Sequence, residues 1–129
     1  MPDVLVEVRG TWLGSGKARF LDAIHAAMVE AIKIPLDDKL LRLVAHAPDD
    51  FIIPPGRGEK FTRIEITLFN GRSLEAKRKL YTAIVRNLEP FGVPAEDVKI
   101  ILLEVPPENW GVRGGHAACD IDIGFKVRV

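Results

Sequence analysis

Apolar and polar positions follow one of two periods along most of the chain, and the period switches at glycines and prolines. Residues 4–8 (VLVEV) are rich in β-branched side chains and predict a short strand. Gly10, Gly14 and Gly16 mark a turn, after which Leu21, Ile24, Met28 and Ile32 recur at three- and four-residue steps. Such steps describe one face of a helix, with Ser15 placed to cap it and Pro35 to forbid its continuation. The nearly continuous apolar run at 40–45 predicts a strand covered on both faces.

Residues 47–60 (APDDFIIPPGRGEK) predict an irregular joint in which Phe51, Ile52 and Ile53 are anchored against apolar neighbours. Beyond it, Ile64, Ile66 and Leu68 alternate with Arg63, Glu65 and Thr67, the period of a strand. Asn70, Gly71 and Arg72 then turn into a second helix with Ser73 as its cap. Leu80, Ile84, Leu88 and Phe91 form its buried stripe, and Pro90 ends it. A fourth strand is expected at 98–103. A last one is expected at 120–129, where Ile121, Ile123, Phe125, Val127 and Val129 share one face.

Two stretches of this pattern repeat. Residues 34–51 lie over 93–110 without a gap at an offset of 59, so that Pro35 meets Pro94, Asp38 meets Asp97, Pro48 meets Pro107 and Phe51 meets Trp110. A shared proline, acid, apolar run, second proline and aromatic imply a duplicated unit. The expected architecture is α/β: pseudo-repeats at 1–53 and 60–112, each a βαβ unit, fused into one four-stranded mixed sheet with two helices on one face. The other sheet face and the apolar face of the tail both want a cover, which symmetric homo-oligomerisation would supply.

Composition narrows the function classes. With 129 residues the chain has the size of one domain, and its 18 basic and 18 acidic residues cancel. A neutral total gives no argument for a nucleic-acid or anionic-membrane partner. No apolar run approaches the roughly 20 residues of a membrane span. The first ten residues carry no signal-peptide pattern, and the single Cys119 fits a reducing cytoplasm.

Several motifs fall short of a site. The stretch Gly14, Ser15, Gly16, Lys17 lacks the first glycine of a phosphate loop, where Thr11 stands, and the Ser/Thr after the lysine, where Ala18 stands. His25, His46 and His116 have no partner at metal-ligand spacing, so no metal is expected. Cys119 has no activating pattern around it.

Pro2 has a chemistry of its own. Removal of Met1, usual before a small residue, would leave a secondary amine at the chain start. An ordinary α-amino group has a pKa of about 7.7–8.0. Burial and nearby cations lower that value, which suits a general base at neutral pH. A retained Met1 would make the same nitrogen an amide and block it.

Together with the repeated βαβ unit, Pro2 makes the chain resemble the tautomerase superfamily, whose members use an amino-terminal proline. The second half resembles oxalocrotonate tautomerase, with Gly71–Arg72–Ser73 at the turn and Asp97–Val98–Lys99 at the next strand. Asn109–Trp110–Gly111 and Gly114–Gly115 match its aromatic-glycine segment, with Arg113 inserted. The first half keeps Pro2 but reads Gly10–Thr11–Trp12 at its turn. Pro35 and Asp38 resemble a segment of malonate semialdehyde decarboxylase, although Asn70 stands where that enzyme has a second arginine.

The resemblance implies a cofactor-independent keto–enol tautomerase of a small α-keto or unsaturated carboxylic acid, assembled as a homotrimer. Pro2 would transfer the proton, Arg72 would bind the carboxylate, Trp110 would wall the pocket, and Asp38 and Lys99 would complete substrate binding. Pro2 would stand at the mouth of a pocket shared with Arg72 and Trp110, supplied by the same or by a neighbouring subunit. Three alternatives stay open: decarboxylation, hydration, and a non-catalytic trimeric module retaining the fold. Arg72 also reads as a helix-start surface charge, Trp110 as core, Asp38 as a turn acid and Lys99 as a solvated strand residue.

Overall fold

The structure is a computed structural model and describes residues 2–129. Met1, and with it the expectation of a blocked Pro2 nitrogen, lies outside the described residues.

Four strands, β1 (Asp3–Arg9), β2 (Leu41–His46), β3 (Thr62–Leu68) and β4 (Val98–Glu104), form one sheet in the order β2-β1-β3-β4. The outer pairs are parallel and are bridged by the helices α1 (Lys17–Ile32) and α2 (Leu74–Leu88). The central pair, β1 and β3, is antiparallel, with Val4 opposite Ile66 and Val6 opposite Ile64.

Alternation decides which side is covered. Val4, Val6, Val8, Ile64, Ile66 and Leu68 point at the helices and are fully buried against Phe20, Ile24, Met28, Ile32, Leu80, Ile84 and Leu88. Both helices therefore lie on the same sheet face, as the pattern predicts. The opposite face carries Leu5, Val44, Ile101 and Leu103 around an ion network. There Arg63 Nη1 donates to Glu7 at 3.0 Å and Nη2 to Glu65 at 3.2 Å, while His46 Nε2 lies 2.9 Å from Glu7.

Four expectations need correction. Ser15 caps nothing: it sits in a single 3-10 turn and Gly16 occupies the N-cap without a side-chain bond, whereas Ser73 accepts from Ala76 N at 3.1 Å. β2 is an edge strand covered on one face only: Leu41 and Leu43, level with Val4 and Val6, are half-buried on the helix side, while Val44 points to the open face and is 40% exposed. Ile52 is 94% exposed, so only part of the joint is anchored, through Phe51 and Phe61 with rings 6.4 Å apart.

The fourth concerns the tail, which forms no strand. A two-residue hairpin, β5 (Gly111–Val112) with β6 (His116–Ala117), turns through Arg113 at φ 48°, and residues 121–129 then run irregularly. Alternation survives there as burial, with Ile121, Ile123, Phe125, Val127 and Val129 half-buried and the residues between them exposed. The tail has no ladder partner, because it is laid over the turn between β3 and α2. Ser73 N donates to Val129 O at 3.1 Å, and a Cβ on Gly71 would stand 3.4 Å from Val127 and Arg128.

Candidate active site

The turn beneath the tail carries the most unusual side chain in the molecule. β3 ends at Leu68, Phe69 is buried, and Gly71 adopts φ 125°, a conformation that L side chains rarely take. That backbone folds the next residue inward, so Arg72 is only 5% exposed. Its Nη1 donates to Phe69 O at 3.2 Å. Its Nε and Nη2 have no hydrogen-bond partner among the described residues. A buried guanidinium normally fills its five-donor fork, which makes Arg72 a candidate anion-binding side chain.

The surroundings act on that charge in opposite senses. Burial lowers the Arg72 pKa below the usual arginine value, and the carboxylates of Asp38 and Glu104 oppose it. Asp38 belongs to the turn before β2, where its N–H donates to Pro35 O at 3.1 Å. Glu104 closes β4 beside Leu68 and accepts from Lys77 Nζ at 2.8 Å.

The strand register brings Pro2 to the same end of the sheet. Asp3 pairs with Thr67, so the next step places Pro2, itself buried, level with Leu68. Val4 N donates to Leu40 O at 3.1 Å, which sets the 35–40 turn on the other side of Pro2. Pro2, Asp38 and Arg72 are thus carried to one end of the sheet by three separate segments.

Trp110 joins them through an intermediary. Its ring meets Phe69 edge-on with centroids 5.0 Å apart, and its Nε1 donates to Val105 O at 3.0 Å. The indole is therefore fixed by packing against the residue whose carbonyl holds Arg72. Lys99 is not brought in. It is exposed and pairs with Arg63, five strand steps before Leu68, which is about 17 Å of β-strand.

The expected shared pocket also differs. The cavity beside the turn, about 410 Å³, is lined by Phe69, Asn70, Pro106, Pro107 and tail residues including Cys119 and Arg128. Pro2, Arg72 and Trp110 are not in its wall.

Of the histidines, His25 is buried with Nε2 2.8 Å from Leu36 O in the turn that also carries Asp38, His46 sits with Glu7 at the far end of β2, and His116 lies in β6. Among the described residues no three His, Cys, Asp or Glu side chains gather as a metal site. No helix of these residues is long and apolar enough to cross a membrane. Sequence reasoning missed Phe69 and Glu104 as neighbours of Arg72, Lys77 as the partner of Glu104, and the tail over the turn. The aromatic directly after β3 was a readable signal for Phe69; the other contacts join segments far apart in the chain and leave no local mark.

A family model described as tautomerase enzyme matches residues 38–113, more than half of the chain. The chain belongs to the tautomerase family. Among curated relatives, the probable tautomerase YusQ of Bacillus subtilis (strain 168) is 29% identical over 127 residues, covering 91% of this chain and 97% of YusQ. The 2-hydroxymuconate tautomerase of Comamonas testosteroni is 37% identical over 54 residues, 41% of this chain and 86% of that protein.

Solved structures within the family agree on the long form. FG41 malonate semialdehyde decarboxylase inhibited by 3-bromopropiolate superposes with a TM-score of 0.83 at 29% identity, covering 94% of this chain and 98% of that one. A fused 4-OT described as a symmetric trimer superposes at 0.80 with 26% identity, covering 90% and 95%.

Proposed function

We propose that this family member is a cofactor-independent keto–enol tautomerase of a small α-keto or unsaturated carboxylic acid, working in the cytoplasm as a homotrimer. The observation that carries the reading is Arg72: a buried cation with two open donors, at the sheet end where Pro2 emerges. A carboxylate supplies a bidentate acceptor for that fork and replaces the water that burial removed.

Proton transfer falls to the Pro2 nitrogen once Met1 is removed. The amine takes a proton from the carbon next to the carbonyl and returns it to the neighbouring position, while Arg72 holds the carboxylate and steadies the developing enolate. Burial of Pro2 and the nearby cation both favour the neutral amine. Trp110, fixed against Phe69, keeps the environment dry. Asp38 orients the substrate, and Lys99 contributes only if a neighbouring copy presents it. The trimeric relatives support the assembly, and the open face with Leu5, Val44, Ile101 and Leu103 gives it a surface to bury.

A second reading, decarboxylation or hydration of a small acid, draws on the decarboxylase likeness and on Asp38 beside Arg72. Asn70, in place of a second arginine, weighs against it.

The test compares untagged protein with its start at Pro2, verified by mass, with the same chain extended at the amino terminus. Enol-acid turnover should appear in the first and fall at least a hundredfold in the second. Equal rates in both would exclude Pro2 as the base.

A further inference from the structure

We propose that Lys77 keeps Arg72 open for its ligand by holding the Glu104 carboxylate away from it, and so sets the affinity of the site for carboxylates. The inference rests on the reading of Arg72 as a carboxylate anchor.

The puzzle is that Arg72 has open donors at all. Glu104 pairs with Leu68 at the end of β3, four residues before Arg72, and its charge acts on the guanidinium after that of Asp38, yet Nε and Nη2 remain unpartnered among the described residues. Arginine–carboxylate pairs are frequently bidentate, and a second cation bonded to the carboxylate competes with that pairing. Lys77 is that cation. Its Nζ donates to Glu104 Oε1 at 2.8 Å, and both side chains are partly shielded, at 21% and 34% exposure.

Lys77 owes its place to the same turn. Ser73 fixes the first turn of α2 through its own hydroxyl and through Val129, and Lys77 N donates back to Ser73 O at 3.1 Å. Lys77 thus stands one helical turn into α2, opposite the end of β4. Remove its charge, and Arg72 becomes the cation facing Glu104. Glu104 then closes on the open donors, and a substrate must displace a carboxylate already bound. Lys77 touches neither substrate nor the reacting proton; it is a positioning residue whose effect runs through Glu104.

The experiment is a double-mutant cycle on the full chain, read by turnover of the enol form of phenylpyruvate and by titration with pyruvate. Lys77→Met keeps helix propensity and removes the charge. It should raise KM and the pyruvate Kd about tenfold, the cost of one lost charge-assisted contact, with kcat within about twofold. Adding Glu104→Gln to Lys77→Met should return both constants to within about threefold of wild type, while Lys77→Arg alone should change little.

A purely structural role for Lys77 would lower the melting temperature without being relieved by the second substitution. The proposal is overturned if Lys77→Met leaves KM unchanged, or if Glu104→Gln fails to restore it. Wild-type protein that neither binds pyruvate nor turns over the enol would instead overturn the anchor reading, and this proposal with it.

Discussion

The two ends of the sheet use the same loop skeleton and leave opposite residues behind. Each second strand is entered by a proline turn whose acid donates its N–H to the proline carbonyl: Asp38 to Pro35 at 3.1 Å, Asp97 to Pro94 at 2.9 Å. At the Asp97 end the acid and its neighbouring cations have protein partners. Asp97 is 4% exposed, takes Gly58 N at 3.0 Å and lies 3.9 Å from Arg57, while Lys60 donates to Phe91 O at 2.9 Å and sits over Trp12. At the Asp38 end Arg72 keeps two donors open.

The first strands sharpen the contrast. Leu41 and Ile100 correspond at the offset of 59, and the register pairs them with Val4 and Ile64, so the first strands correspond at 60. Pro2 therefore has Thr62 as its counterpart, a buried residue whose hydroxyl is bonded to Lys60 O at 2.9 Å. One end of the sheet is a joint and the other a candidate site. The difference lies in which polar groups have been given protein partners.

The comparison breaks most visibly at the arginines. Arg72→Met should weaken carboxylate binding by one to two orders of magnitude, the loss of a charge-assisted contact worth about 1.5–3 kcal/mol. Because burial already disfavours this cation, the same change should leave the melting temperature unchanged or raise it by a few degrees. Arg57→Met, at the other end, should leave turnover within twofold. Steady-state kinetics and calorimetry on both variants check the pair; equal losses of binding would erase the distinction.

Next in size are the acids. Asp97→Ala strips the buried Gly58 N–H of its acceptor and should cost about 1–3 kcal/mol of unfolding free energy, measured in urea, with little effect on kcat. Asp38→Asn should do the reverse, lowering activity by at least tenfold while the unfolding midpoint moves less. If both variants lost stability alone, Asp38 would be a second turn acid and nothing more.

The smallest effect separates the helix starts. Ser73→Ala removes an observed cap and should cost about 1 kcal/mol. Ser15→Ala, where no cap bond exists, should fall within about 0.5 kcal/mol of wild type.

Local periodicity made the core legible. The faces of β1, β3, α1 and α2 were set by apolar spacing, and burial follows it at Ile24, Met28, Ile32, Leu80, Ile84 and Leu88, while Leu21 is only half-buried and Phe91 lies half-buried beyond the end of α2. The Ser73 cap was readable because it directly precedes a regular helix; Ser15 misled because the glycines on either side built a 3-10 turn first. Alternation in the tail stated which side chains would be sheltered but not that a ladder partner existed, since hydrogen-bond pairing is a property of the neighbour. Arg72 and Trp110 were found from a resemblance that no hydropathy pattern could replace. Glu104 acts on Arg72, and Lys77 on Glu104, only through folded geometry.

The antiparallel pairing of β1 with β3 has a consequence for assembly. Each βαβ half alone would present one inner strand as a bare edge, with backbone donors and acceptors that seek another chain. Joining the halves through residues 47–60 turns that encounter into an intramolecular one, at an effective concentration on the order of millimolar. Dilution therefore cannot part the seam between β1 and β3. Any dissociation seen in solution has to occur between whole chains.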